Sequence, residues 1–152
     1  MIEPVRYFED LEVGETHVSE PRTVTEDEIV EFASRYDPQY FHMDAEAAES
    51  HPQFGEVVAS GIHILALWRQ LDHEITGDIR WICGIAWREL RWHKPLRAGD
   101  AVRARAELVD KRRSSKNPGR GVVDYRYSLL NQDDEEIFWC LSLNYVERTP
   151  DE

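Results

Sequence analysis

An aspartate and a histidine, Asp37 and His42, lie five residues apart in the segment YDPQYFHMD that spans 36–44. A carboxylate with an ordinary pKa of about 3.9 and an imidazole at about 6.5 can together hold a water molecule and move its protons at neutral pH. Pro38 disfavours the helical conformation at Asp37, so we expect the pair at a fixed break in the chain. The alternative is a surface turn, in which Asp37 caps a backbone amide and His42 is solvated.

Helices are predicted on both sides of this pair. Thr25 followed by Glu28 three residues later forms a capping box, which predicts a helix that begins after Thr25. An apolar stripe follows at helical spacing, made of Ile29, Phe32, Ala33 and Tyr36. Asp44 can cap a second short helix over 45–48. The pair is therefore expected to be held between two helices.

A second candidate site begins at Ser60 and Gly61. The segment 59–68 is apolar nearly all round, which predicts a buried helix and is too short to span a membrane. Ser60 is a good N-cap, and Gly61 lets a ligand approach the backbone closely. Free N–H groups at the positive end of a buried helix are typical of an oxyanion hole. The alternative is that Ser60 only caps the helix and Gly61 only permits close packing.

The remainder of the chain predicts an antiparallel sheet. A strand is expected over 81–90, and three more follow, joined by short turns as a meander. Their apolar positions alternate with polar ones, or form one face, at Val102, Ala104, Ala106 and Leu108, then Val123, Tyr125, Tyr127 and Leu129, then Ile137, Trp139, Leu141, Leu143 and Tyr145. A further strand is expected around 16–24. This order predicts one α+β domain over 1–152, with its helices on one face of the sheet.

The charge and the residue composition of the chain limit the classes of partner and of metal site that can be expected. The net charge of −12 argues against nucleic acid, because the chain has no overall attraction for phosphate. The first residues lack the basic and apolar regions of a signal peptide. Cys83 and Cys140 lie among apolar strand residues and are expected to be buried and reduced, as in a cytoplasmic protein. There is no C-x-x-C, and the 6 histidines are scattered, so no metal site is expected.

A cluster of basic residues surrounds the predicted turn at 117–119. Its members are Lys111, Arg112, Arg113, Lys116 and Arg120. One hypothesis is a solvated hairpin tip. The other is a small basic patch that holds the phosphates of a ligand, with Arg112, Arg113 and Lys116 as the contacts.

These segments together resemble the MaoC-like dehydratases, the family of (R)-specific enoyl-CoA hydratases. Asp37 and His42 match the acid and the histidine of the family motif, which is close to G-D-x-N-P-x-H. Further matches are the segments 8–15, 54–55, 59–61 and 97–100, so the resemblance covers nearly the whole chain. The motif differs at three positions, where Tyr36, Gln39 and Tyr40 replace Gly, Asn and Pro.

The resemblance implies a hot-dog fold, with an antiparallel sheet wrapped around a long central helix that starts at Ser60. It also implies the activity of an (R)-specific enoyl-CoA hydratase, or 3-hydroxyacyl-CoA dehydratase, of fatty acid metabolism. Asp37 and His42 would activate water, the N–H of Gly61 would bind the thioester oxygen, and Ser60 would hold the pair or cap the helix. The coenzyme A thioester would be the substrate, with no further cofactor and no metal, and the protein would form a homodimer or a higher homo-oligomer.

Two alternatives remain within the same fold. Hot-dog thioesterases and acyl-carrier-protein dehydratases resemble this chain less, because they place an acid on the central helix and the first one here is Asp72. A non-catalytic hot-dog protein that binds acyl-CoA as a scaffold is the second alternative, and it predicts binding without turnover.

Overall fold

The computed structural model describes residues 1–151. A single 3-10 turn at Phe8–Asp10 precedes four α-helices: α1 (Glu26–Tyr36), α2 (Tyr40–Met43), α3 (Ala45–Ala48) and α4 (Gly61–Thr76). The six strands are β1 (Thr16–Val18), β2 (Arg22–Thr23), β3 (Trp81–Trp92), β4 (Ala101–Arg113), β5 (Arg120–Leu130) and β6 (Glu136–Glu147). Within this part of the chain, no helix has the length and hydropathy needed to cross a bilayer.

All the strands belong to one antiparallel sheet. The main order is β1-β4-β5-β6-β3, and β2 pairs with the start of β4. The predicted meander β4-β5-β6 is confirmed, and the strand expected around 16–24 is divided into β1 and β2. The long helix α4 packs against β4 and β5, so the chain has the α+β hot-dog architecture. β3 lies at one edge of the sheet, where its outer side has no strand partner among residues 1–151.

The core lies between α4 and the concave face of the sheet. The predicted inward-facing positions of β4 and β5 are fully or almost fully buried: Val102, Ala104, Ala106, Leu108, Val123, Tyr125, Tyr127 and Leu129. Trp68 of α4 packs on them, with ring centroids 4.8 Å from Tyr127 and 5.5 Å from Phe138. Large aromatic side chains dominate such a core because each one removes roughly 150–250 Å² from water.

The structure corrects the expected burial at several positions. On β6 the core-facing residues are Phe138, Cys140, Ser142, Asn144 and Val146, whereas Trp139, Leu141, Leu143 and Tyr145 on the other face are only half-buried. Burial raises the pKa of the Cys140 thiol to about 12. Cys83, in contrast, is exposed because β3 is an edge strand. Tyr36 is also exposed and does not continue the buried stripe of α1.

The central helix is not buried all round within a single chain. Ile64, Leu67, Trp68 and Leu71 face the core, but Ile62 is 54% exposed and Ala66 is exposed one turn later. The predicted apolar character of this helix is confirmed, but its complete burial is not. At its start the helix adjoins the edge strand β3, where Trp92 Nε1 donates to Gly61 O at 3.2 Å.

Candidate active site

The end of α1 positions Asp37. The predicted capping box is confirmed, since Thr25 Oγ1 accepts a hydrogen bond from Glu28 N and Glu28 Oε2 accepts one from Thr25 N. Asp37 N still donates to Ala33 O at 2.8 Å, but the residue has φ −151° and ψ 73° and has left the helical conformation. The clash with the proline ring that follows explains this break. The carboxylate therefore extends from a defined helix end.

Two donors hold the Asp37 carboxylate. Ser60 Oγ donates to Oδ2 at 2.7 Å, and Gln39 Nε2 donates to Oδ1 at 2.9 Å. These two hydrogen bonds, first that of Ser60 and then that of Gln39, lower the pKa of Asp37, and the charge of His42 adds to the effect. Asp37 is therefore ionised at neutral pH. Gln39 replaces the Asn of the family motif but still supplies an amide donor to the acid.

His42 lies in α2, a short helix that the sequence analysis did not predict, and its side chain is 7% exposed. Its Nδ1 is 2.6 Å from Val58 O and must donate there, because a carbonyl oxygen can only accept. The neutral ring therefore carries no proton on Nε2. That nitrogen is 3.6 Å from Asp37 Oδ2, which is too long for a good hydrogen bond. A solvated turn is wrong for His42, because the residue is buried, and the free Nε2 and the Asp37 carboxylate are close enough for one water molecule to contact both.

Ser60 and Gly61 bring the start of α4 to this pair. Ser60 is fully buried, and its Oγ accepts from Ile62 N at 3.2 Å while it donates to Asp37. It therefore both caps the helix and holds the acid. Gly61 is the first residue of α4, where the backbone N–H groups have no intrahelical acceptor and the helix dipole is positive. These donors can stabilise negative charge that develops close to the pair.

A pocket of about 260 Å³ opens at this point. Its wall contains His42 and Gly61, and most of the remainder is apolar, namely Phe41, Phe54, Val58, Ala59, Ile64, Trp92 and Pro95. Polar side chains line it at Gln53, His93 and Lys94. A larger cavity of about 560 Å³ lies along β3 and the second half of α4, but neither Asp37 nor His42 lines it. We take the smaller pocket as the site, because His42 lines it and the Asp37 carboxylate lies 3.6 Å from the His42 ring.

The basic cluster does not lie near this site in the same chain. Ala59 N donates to Leu96 O at 2.9 Å, so the start of α4 adjoins the segment that leads into β4. β4 then runs away for 13 residues, roughly 40 Å at about 3.3 Å per residue, before it reaches Arg112, Arg113 and Lys116. Those three side chains are exposed at the far end of the sheet. The three residues therefore lie far from the dyad of their own chain, and their contact with the phosphates of a ligand stays a prediction.

Several members of the site were not predicted. Gln39 was not assigned as a partner of Asp37, although a side-chain amide two residues away is a local signal. Val58, whose carbonyl fixes the histidine, was also not predicted, nor was the aromatic wall that includes Phe41 and Trp92. Those contacts join distant parts of the chain, so spacing in the sequence does not predict them.

The chain is similar in sequence and in fold to several known proteins. Residues 10–128 match the family model described as MaoC like domain. The uncharacterized protein YdeM of Bacillus subtilis is 30% identical over 135 residues, which cover 86% of this chain and 92% of YdeM. The 3-hydroxyacyl-thioester dehydratase Z of Mycobacterium tuberculosis is 32% identical over 90 residues, which are 57% of this chain and 59% of that protein. The crystal structure of the MaoC-like dehydratase from Rhodospirillum rubrum superposes with a TM-score of 0.85 at 32% identity, covering 96% of this chain and 99% of that chain.

Proposed function

The chain belongs to the MaoC-like domain family of hydratases and dehydratases, and on this premise we propose that it adds water reversibly to trans-2-enoyl thioesters of coenzyme A. One observation carries the proposal. An ionised carboxylate and a buried imidazole with a free Nε2 lie 3.6 Å apart, beside the start of the central helix. The (R) configuration of the 3-hydroxyacyl product follows from the family resemblance of the Asp37–His42 motif.

The proposed reaction uses one water molecule between Asp37 and His42. The water oxygen bonds to the β-carbon of the enoyl thioester while one of its protons passes to His42 Nε2. A proton then returns to the α-carbon, so the elements of one water molecule are added across the double bond. Asp37 stays ionised, orients the water and stabilises the imidazolium that forms for a moment.

Negative charge moves to the thioester oxygen as the water attacks. The N–H of Gly61 at the positive end of α4 is the proposed donor to that oxygen. Such preorganised donors stabilise the transition state more than the ground state, because the oxygen carries more charge there. This chemistry uses no metal and no redox cofactor, and coenzyme A enters only as part of the substrate.

The two donors to Asp37 can be tested through its pKa. Ser60→Ala removes the larger stabilisation of the carboxylate and Gln39→Ala the smaller one, so each variant should raise the pKa of Asp37, and Ser60→Ala should raise it more. Carbon-13 NMR titration of the Asp37 carboxyl group measures this directly. Gln39→Asn restores the amide of the family motif and serves as the control. An Asp37 pKa that is the same in all four proteins would contradict the assigned contacts.

We also propose that the protein is a homodimer joined at β3. This edge strand exposes Ile82, Ile85 and Trp87, which are 45%, 41% and 50% accessible. The start of α4 adjoins the end of this strand, where Trp92 Nε1 donates to Gly61 O, and the cavity of about 560 Å³ lies between the same strand and Trp68, Arg69 and His73 of α4. A long apolar edge strand left open would aggregate. A second copy that pairs antiparallel along β3 would cover the edge, the cavity and the helix face with one isologous contact.

Sedimentation velocity tests this assembly. We expect a dimer at micromolar concentration, and we expect Ile85→Asp to shift it towards the monomer, because the substitution places like charges at the shared edge. Val13→Asp is the matched control, since Val13 is 56% exposed and lies outside β3 and α4. A monomeric parent protein, or equal dissociation of both variants, would contradict the proposed interface.

A further inference from the structure

Trp92, the last residue of β3, covers Gly61 at the start of α4. Its Nε1 donates to Gly61 O at 3.2 Å. A Cβ atom added to Gly61 would lie 2.9 Å from Trp92 Cε2 and 3.1 Å from both Cζ2 and Nε1. Side-chain carbons do not approach each other so closely, so the indole occupies space that only glycine leaves free at this position.

We infer that Trp92 and Gly61 together form the wall that limits the length of the acyl chain, and that the substrates are short-chain enoyl thioesters. This inference rests on the proposed function, because it assigns the apolar pocket beside His42 to the acyl group. The pocket measures about 260 Å³. Pockets for drug-sized ligands usually measure about 300–1,000 Å³. The space next to the dyad is therefore small.

Trp92 differs from the other apolar walls in how it is held. Val58, Ala59 and Ile64 are 2%, 5% and 3% exposed, so core packing or the backbone fixes them. Phe41 is held between other rings, with centroids 4.6 Å from His51 and 5.8 Å from Phe54. The Trp92 side chain lies over Gly61, and the residue is 49% exposed. It is therefore the wall residue whose removal enlarges the pocket without opening the core.

Gly61 then has a second role besides that of an N–H donor. Alanine at this position is compatible with a helix and is preferred over glycine there. The added methyl group would meet only the far end of a half-exposed side chain, so it should displace the indole and leave α4 intact. Gly61→Ala and Trp92→Ala therefore act on the same wall, and their effects on chain-length preference should be coupled.

The binding of saturated acyl-CoA thioesters tests the wall formed by Trp92 and Gly61, because these ligands have no double bond that could be hydrated. Dissociation constants for butanoyl-CoA and octanoyl-CoA are measured for the parent, Trp92→Ala, Gly61→Ala and the double variant. The parent should prefer butanoyl-CoA, and Trp92→Ala should shift the ratio towards octanoyl-CoA by at least about tenfold, since even one misplaced methylene in a pocket costs roughly tenfold or more. Gly61→Ala should change the ratio when Trp92 is present and leave it unchanged in the Trp92→Ala background.

Tyr36→Ala is the matched control, because Tyr36 is 64% exposed, ends the helix that positions Asp37 and does not line the pocket. An unchanged ratio in Trp92→Ala, or an equal shift in Tyr36→Ala, would overturn the inference. Turnover of crotonyl-CoA by the parent is measured separately. If the ratio of the two dissociation constants shifts as expected but crotonyl-CoA is not hydrated, the assignment of the wall is supported and the proposed hydratase function is contradicted. If crotonyl-CoA is hydrated and the ratio does not move, only the wall fails. If the parent binds neither thioester, both fail.

Discussion

Replacement of Asp37 by asparagine is expected to lower kcat for the hydration of crotonyl-CoA by at least about a hundredfold. General acid–base help is worth roughly two to four orders of magnitude, and asparagine keeps the size of the side chain but loses its charge. The fold should survive, because the Asp37 side chain is 24% exposed and lies outside the apolar core. Initial rates and the midpoint of thermal unfolding measure the two effects.

Asp44→Asn is the control for this prediction. Asp44 is a nearby acid that caps α3 by accepting a hydrogen bond from Ala47 N at 3.0 Å. Asparagine also caps helices, so the control should keep both its stability and its activity. Near-normal activity in Asp37→Asn, or an equal loss in Asp44→Asn, would show that the assigned site is wrong.

Replacement of His42 by alanine should also lower kcat by at least about a hundredfold, since it removes the group that takes the proton from water. It should destabilise the protein as well, because His42 is 6% exposed and its Nδ1 donates to Val58 O. Removal of the donor leaves that buried carbonyl without its partner, which costs about 1–3 kcal/mol. Stopped-flow or steady-state rates are compared with urea unfolding of the same variant.

The double variant Asp37→Asn/His42→Ala separates a shared role from independent ones. One water molecule serves both groups, so the loss in the double variant should be close to that of the worse single variant. Two losses that multiply would indicate that the residues act in different steps. His42→Gln provides a further check, because its amide can still donate within the buried site but cannot act as a base.

Local signals were enough to predict α1, α3 and α4 around the site, but not the short helix α2 that carries His42. The capping box of Thr25 and Glu28 fixed the start of α1, and Pro38 fixed its end. The alternation of β4 predicted its buried positions, because one of its faces is polar. β6 has apolar residues on both faces, so its pattern alone does not say which face meets the core. The exposure of Cys83 depends on the strand order, which the residues of β3 do not encode locally.

Only part of the site could be predicted. The spacing of Asp37 and His42 within one short segment predicted their proximity. The separate family match of segment 59–61 linked them to Ser60, which lies 23 positions after Asp37. The carbonyl of Val58 and the indole of Trp92 reach the site through strand pairing and helix packing, which a linear pattern does not show. The position of the basic cluster could not be predicted for the same reason. Its composition predicts a hairpin tip, but the direction of β4 decides at which end of the sheet that tip lies.

Hydration of crotonyl-CoA by the purified parent protein is the most direct test of the proposed hydratase activity. Hydration removes the ultraviolet absorbance that comes from the conjugation of the enoyl double bond with the thioester, so the decrease in absorbance follows the reaction. We expect a decrease whose rate is proportional to protein concentration, a product with the (R) configuration, and a loss of at least about a hundredfold in Asp37→Asn. Binding of crotonyl-CoA and of longer enoyl thioesters with no change in absorbance would contradict the account and would identify the protein as a non-catalytic acyl-CoA-binding member of its fold.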